Sequence, residues 1–311
     1  MITSESIKTV NIELNNICNL SCTLCQRNNP EMDYYLKQKN HLDYDALLKT
    51  LDKFKNLKNV YLFGNLSEPV LYYNFLNLIK ELKKRNLNLT ISTNGNPYSE
   101  TFWKDFGNSL DSNDTCIFAI DGSTQEKYQK YRVGGNLEKV LKNYITFCDW
   151  TQAKKAIQII KFPWLEPIDE EFQTLEAKLN PEDQLKYRFE KIAKLNHTSD
   201  TIQTKEDKIL NKFHAKVIRR NLLRTKPELN CASQIKDSFM INFLGDIIPC
   251  CYVHEELMLA RESSKFPIPN IMNYSEKEFN EFFTWYFGEQ IFKTENCIST
   301  CSKMLQLLKI K

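Results

Sequence analysis

The chain has no run of 18 apolar residues, the least that a membrane-spanning helix needs, so no span is expected. It begins Met1-Ile2-Thr3-Ser4-Glu5-Ser6, without the charged-then-apolar pattern of a secretion signal. The expected location is therefore the cytoplasm, where thiols stay reduced. There is no basic stripe: 42 Lys and Arg are interspersed with 39 Asp and Glu, for a net charge of +3. That balance leaves no footprint for nucleic acid. Glycine is scarce, at 8 residues, while Lys and Asn are abundant. This pattern reflects base composition rather than function. The four histidines, His41, His197, His214 and His254, show no metal-ligand spacing. Apolar residues are not scarce: at 42% of 311 they support a real core, in one large domain or a large and a small one. Ten cysteines in a reducing compartment point to metal binding rather than disulfides.

Three of the cysteines lie in the run Cys18-Asn19-Leu20-Ser21-Cys22-Thr23-Leu24-Cys25. Three thiolates so spaced can hold three irons of a [4Fe-4S] cube and leave the fourth iron open to a small molecule. Taken alone, the spacing also fits a zinc site or chance. The run follows Val10-Asn11-Ile12-Glu13-Leu14, which alternates like a strand. The loop is thus expected at a strand's C-terminal end, where α/β folds place their sites.

Residues 8 to 165 read as strand-then-helix units, which implies α/β architecture with a parallel sheet. Strands are predicted near 9–14, 59–63, 87–92, 115–120, 156–162 and 185–191. Helices are predicted near 43–56, 71–85, 99–109, 123–130, 136–151 and 168–179. Leu71, Phe75, Leu78, Ile79 and Leu82 keep helical spacing and should face the sheet. Cys116 and Cys148, isolated on a strand and a helix, read as small core residues.

The spacing C-x3-C-x2-C resembles that of the radical S-adenosylmethionine (SAM) enzymes, and three further segments follow in that family's order. Phe63-Gly64-Asn65-Leu66-Ser67-Glu68-Pro69 is similar to its Gly-Gly-Glu-Pro segment. Ile91-Ser92-Thr93-Asn94-Gly95 is similar to its third-strand Thr-Asn-Gly. Ile117-Phe118-Ala119-Ile120-Asp121-Gly122 resembles its fourth-strand Asp-Gly, with Tyr128, Tyr131 and Arg132 after it. The departures are Leu24 where an aromatic residue is usual, Ser67 for a glycine, Ala119 for a small polar residue, and one extra residue before Glu68.

The resemblance implies a partial (β/α)6 barrel over residues 1–195, a helical connector over 196–230 and a C-terminal extension over 231–311. It implies a SAM-binding [4Fe-4S] cluster on Cys18, Cys22 and Cys25. Gly64, Asn65, Ser67 and Glu68 would flank the SAM ammonium, and Thr93 and Asn94 would lie near the ribose. Arg132 would pair with the methionine carboxylate, a match suited to a guanidinium; its other reading is a surface salt bridge. A flavodoxin- or ferredoxin-type donor would supply the electron.

The C-terminal third has a second cysteine set. Cys231, thirteen residues, Gly245, four residues and Cys250 resemble the start of the family's SPASM and twitch extensions. Gly245-Asp246 between Phe239-Met240-Ile241-Asn242-Phe243 and Ile247-Ile248 predicts a hairpin with a tight turn. Cys297-Ile298-Ser299-Thr300-Cys301 adds two thiolates, with C-x3-C where C-x2-C is common. Four thiolates complete an auxiliary [4Fe-4S] cube with no open iron; a four-cysteine zinc site is the alternative. No cysteine follows Cys301, so the short twitch type is the nearer resemblance. Cys250 and Cys251 should point oppositely on a strand, which leaves Cys251 as a packed or functional thiol.

Together these imply reductive SAM cleavage to a 5′-deoxyadenosyl radical and hydrogen-atom abstraction from a substrate. The auxiliary cluster would take a second electron, giving dehydrogenation of a sugar- or aminocyclitol-like molecule. The alternatives are epimerisation with Cys251 as hydrogen donor, and peptide modification. The first strand begins by about residue 8, which is expected to leave no room for a leader-binding domain ahead of it. Glu13, Lys161, Glu190 and Lys191 are candidates for a substrate base, each equally readable as a surface residue. Phe279-Asn280-Glu281-Phe282-Phe283-Thr284-Trp285-Tyr286-Phe287 is expected to pack the extension rather than cover a site.

Overall fold

A computed structural model of the chain describes residues 4–37, 39–160, 186–190, 237–249 and 268–286. The chain divides into two compact units. The larger comprises Ile12–Tyr44 and Lys58–His197, and the smaller comprises Met1–Asn11, Asp45–Leu57 and Thr198–Lys311. Strand β1 (Thr9–Ile12) carries the chain from one into the other. The expected boundaries near 195 and 230 lie outside the described residues.

In the larger unit a short helix α1 (Asp33–Leu36) follows the cysteine loop. Strands β2 (Asn59–Leu62), β3 (Asn88–Thr93), β4 (Thr115–Ala119), β5 (Lys154–Ile160) and β6 (Lys186–Glu190) then lie side by side in sequence order. All four pairings among them are parallel. Parallel neighbours need crossovers, and helices supply them. These are α3 (Phe75–Lys84), α4 (Glu100–Asn108), and the pair α5 (Gln125–Tyr131) and α6 (Leu137–Trp150). This sequential β/α order is what a partial barrel requires. The expected helix at 168–179 and the prolines Pro163 and Pro167 lie outside the described residues.

Local chemistry sets the helix limits. Helix α3 starts at Phe75 rather than 71, because Pro69 opens a 3-10 turn over Pro69–Leu71. Phe75, Leu78, Ile79 and Leu82 are buried as their spacing requires, whereas Leu71 is only half-buried and Tyr72 takes the inner position. Thr124 and Asn136 cap α5 and α6 by accepting from the amides of Lys127 and Lys139. Between sheet and helices, Phe118 lies 5.0 Å from Trp103 and 5.0 Å from Tyr144 between ring centroids, with Phe106 and Phe147 completing the cluster. Aromatic pairs of this kind add about 0.5–1.5 kcal/mol each beyond the area they bury. Cys116 and Cys148 are buried in this layer, as core residues should be.

In the smaller unit, helix α2 (Tyr44–Leu51) ends five residues before the predicted limit. Strands β7 (Ser238–Ile241) and β8 (Ile247–Ile248) pair antiparallel, the predicted hairpin. Asn242 organises its turn: Oδ1 accepts from Leu244 N at 3.0 Å and Asp246 N at 2.9 Å. Gly245 has φ of 83°, a conformation that costs a side-chain-bearing residue more than glycine. Helix α7 (Glu276–Trp285) begins with a capping box between Ser275 and Glu278. Its Phe279 and Phe283 pack on Phe239, and Phe54 joins them, so the aromatic run is a packing surface. Among the described residues, no helix is long and apolar enough to cross a membrane.

Candidate functional site

Four loops of the larger unit, each following one of the strands β1 to β4, build the candidate site. They are the cysteine loop after β1, 63–68 after β2, 94–98 after β3, and 120–122 after β4 with the end of α5. The cysteine loop is docked by its backbone. Ser21 N donates to Val133 O at 3.0 Å, and Thr23 N donates to Tyr131 O at 3.1 Å. On the other side Glu68 N donates to Ile17 O at 2.8 Å. Within the loop Cys25 N reaches Cys22 O at 3.1 Å, and Asn28 Nδ2 reaches the same carbonyl at 2.9 Å.

Glu68 joins three of these loops. Its carboxylate is 3% exposed; one oxygen accepts from Thr93 Oγ1 at 2.6 Å and the other from Asn94 N at 2.7 Å. Its own carbonyl accepts from Asn15 Nδ2 at 3.2 Å. Asn94 extends the network with Nδ2 3.0 Å from Asn19 Oδ1 and 3.8 Å from Cys18 Sγ. Thr93 and Asn94, expected near a ribose, are thus placed by hydrogen bonds to Glu68, and Asn94 faces the first cysteine. Beyond them Asn96 Nδ2 meets Tyr128 Oη at 2.7 Å.

Arg132 and Asp121 form the opposite wall. Arg132 Nε lies 2.6 Å and Nη2 2.5 Å from Asp121 Oδ2, and Nη1 lies 3.6 Å from Cys22 Sγ. The pair is no surface salt bridge: the side chains are 13% and 0% exposed. A buried pair of this kind persists when its geometry is good and its remaining donors are used. Burial disfavours the Arg132 charge, yet Asp121 and Cys22 outweigh it and hold the guanidinium above its ordinary pKa. Gly122 permits this wall, since a Cβ there would lie 2.3 Å from Tyr128 N.

Three thiols therefore share one loop, Cys22 buried and Cys18 and Cys25 partly exposed. Burial, reinforced by Glu68, raises Cys18 to about 11, and burial also raises Cys22, against the pull of Arg132. Among the described residues, no three His, Cys, Asp or Glu side chains surround one point as a single ion would need. A [4Fe-4S] cube instead spreads its thiolates over separate irons. N–H donors aimed at two of the sulfurs suit thiolate ligands, whose charge they stabilise. Leu24, beside Cys25, is 56% exposed.

Two buried carboxyls distinguish the site from an ordinary core. Glu13, fully buried, is raised to about 7 by burial, against hydrogen bonds from Leu66, Ser67 and Asn65. Burial likewise raises Glu68 to about 7. A folded-state pKa above the ordinary 4.5 means the folded protein holds these protons more tightly than the unfolded chain. The cluster-free protein is therefore expected to lose stability as pH rises from about 4.5 to about 7, by at most about 3 kcal/mol per carboxyl. Denaturant melts at pH 5 and pH 8 measure this, and equal or greater stability at pH 8 contradicts it.

Several contributors were given no role of their own by the sequence. Asn15, Asn19 and Asp121 act through partners distant in sequence. Arg27 stands two residues after Cys25, and its Nη1 donates to Asn16 O at 2.6 Å and to Leu66 O. Of the four substrate-base candidates, Glu13 is buried and committed to the 65–67 loop, Glu190 lies on β6, and Lys161 and Lys191 lie outside the described residues. Cys231, Cys250, Cys251, Cys297 and Cys301 also lie outside them, as do His197, His214 and His254.

Residues 12–149 match the Radical SAM superfamily. Proteins of that superfamily use a [4Fe-4S] cluster and SAM as cofactors. A curated relative from Pyrococcus furiosus, a tungsten-containing aldehyde ferredoxin oxidoreductase cofactor-modifying protein, is 35% identical over 102 residues. That match covers 32% of this chain and about a quarter (27%) of the relative's length. Streptococcus suis SuiB, solved with SAM bound, shares the fold with a TM-score of 0.55 at 14% identity, over 94% of this chain and 72% of that one. The AdoMet-bound structure of anSMEcpe gives 0.56 at 17% identity, over 92% and 83%.

Proposed function

We propose that the protein is a radical SAM oxidoreductase that removes a hydrogen atom from a sugar- or aminocyclitol-like substrate and passes a second electron to an auxiliary [4Fe-4S] cluster. The single observation that carries the SAM half is Glu68, whose carboxylate ties the 63–68 and 93–94 segments together beside Cys18. When bound, the reduced cluster supplies one electron to the SAM sulfonium and releases a carbon radical strong enough to take an unactivated hydrogen.

The chain's own residues do the rest. Cys18, Cys22 and Cys25 would hold the cube and leave one iron open to SAM. Gly64, Asn65, Ser67 and Glu68 form the ammonium side. Thr93 and Asn94 border the ribose. Arg132, its fork engaged by Asp121, turns Nη1 toward the cluster side and supplies positive charge near the SAM carboxylate. Buried walls exclude water from the reactive carbon. Cys231, Cys250, Cys297 and Cys301 ligate the auxiliary cube, and a flavodoxin- or ferredoxin-type protein delivers electrons.

A second reading, peptide modification, is favoured by the likeness to SuiB, whose structure with the precursor peptide SuiA matches at a TM-score of 0.54. Mass spectrometry of products from anaerobically reconstituted protein, SAM, reductant and candidate substrates decides. Loss of two hydrogens from a polyol or sugar supports dehydrogenation. The same loss from a peptide supports the second reading. Unchanged mass in H2O, with one deuterium gained in D2O, overturns both in favour of epimerisation, with Cys251 as the hydrogen donor.

A further inference from the structure

We infer that Glu13, rather than serving as a substrate base, is the positioning residue that aims the Gly64 and Asn65 carbonyls as the receptor for the SAM ammonium. The inference rests on the SAM-binding role proposed for the 64–68 loop.

A carbonyl receptor works only if its oxygens point at one place, and a backbone carbonyl's direction is fixed by its peptide plane. In a trans peptide the N–H and C=O point opposite ways. Whatever captures the N–H therefore aims the C=O. Glu13 is 0% exposed and stands just after β1, under the 63–68 loop. Its Oε1 accepts from Leu66 N at 2.5 Å and Ser67 Oγ at 3.3 Å, and the carboxyl also takes the Asn65 N–H. Two consecutive peptides, Gly64–Asn65 and Asn65–Leu66, thus turn their N–H groups to one carboxyl. Their carbonyls, those of Gly64 and Asn65, must face away from it together.

Arg27 removes the next carbonyl from the set. Its Nη1 bridges Asn16 O and Leu66 O, so Leu66 O is already committed to a cation of this chain. The Ser67 carbonyl folds back on Gly64, where an added Cβ would sit 2.0 Å from Ser67 O. The Glu68 carbonyl accepts from Asn15 Nδ2 and Leu71 N. Of the five carbonyls from 64 to 68, those of Gly64 and Asn65 are the pair that Glu13 orients. Glu13 is fully buried beneath the loop it holds.

The test compares wild type with Glu13→Leu, which keeps the bulk but leaves the donors of the 65–67 loop without their acceptor. Equilibrium affinities are measured for S-adenosylhomocysteine and for its deaminated analogue, alongside iron content and 5′-deoxyadenosine formation. Glu13→Leu is expected to bind S-adenosylhomocysteine roughly ten- to a hundred-fold more weakly, the range for a hydrogen bond to a charged group. Its affinity for the deaminated analogue and its iron content should equal those of wild type. Glu13→Asp, which keeps the charge but shortens its reach, should show the same selective loss. Equal losses for both ligands, or no loss for either, overturn the positioning role. Wild type that binds no S-adenosylhomocysteine and forms no 5′-deoxyadenosine overturns the SAM reading itself.

Discussion

Replacing Cys22 with alanine is expected to reduce SAM cleavage to the background of protein-free controls and to remove about four irons per chain after anaerobic reconstitution. The magnitude follows from ligand count. Cys22 is the middle thiolate of the three, 6% exposed and approached by Arg132 Nη1 at 3.6 Å. Two remaining thiolates cannot hold three irons, so both the open iron and its ligand site disappear together. If both cubes form, wild type should carry about eight irons and the variant about four. Cys116→Ala is the matched control. Cys116 is equally buried, but it sits in β4 under the helix layer, so its loss should lower stability modestly and leave iron content unchanged. Iron analysis and 5′-deoxyadenosine assays on both variants measure the effect. A Cys22→Ala protein with full iron and turnover contradicts it.

Glu68→Ala is expected to cost about 2–5 kcal/mol and to weaken SAM binding severely. The carboxylate takes one hydrogen bond on each oxygen, from Thr93 Oγ1 and Asn94 N, in a site with almost no water access. Truncation strands both donors, at about 1–3 kcal/mol each. It also unties the 93–94 segment, which carries Asn94 toward Cys18, from the 63–68 loop. The thermal midpoint of the cluster-free protein should fall by about 5–15 °C. Glu68→Gln, which restores one acceptor, should recover part of the stability and less of the SAM affinity. A Glu68→Ala protein melting within 1–2 °C of wild type would show that these donors find other partners.

Much of this architecture was readable from spacing alone. The order β2 to β6 follows from apolar runs separated by amphipathic helices, and each predicted strand overlaps an observed one. The β7–β8 hairpin follows from Gly245 between two apolar segments. The burial of Cys116 and Cys148 follows from their isolation in apolar runs. Element ends were less legible. The α3 start moved to Phe75 because a Pro69 turn intervenes, a local effect that apolar periodicity does not encode.

The three cysteines were visible from their spacing, and Glu68, Thr93 and Asn94 from the resemblance of their segments to those of a known family. Glu13, Asn15, Arg27 and Asp121 were not assigned their roles. Each works through partners 11 to 54 residues away, and periodicity cannot reveal such pairings. Glu13 illustrates the difficulty: an acidic residue at a strand end reads equally as a base, a surface group or a loop holder. Only its burial and its donors separate these.

Electron paramagnetic resonance of the anaerobically reconstituted, reduced protein, with and without SAM, tests the open-iron cluster most directly. The spectrum should show a reduced [4Fe-4S] signal that shifts when SAM is added, and that signal should be absent from Cys22→Ala. A spectrum indifferent to SAM, or one that Cys22→Ala leaves intact, contradicts a cluster held by Cys18, Cys22 and Cys25.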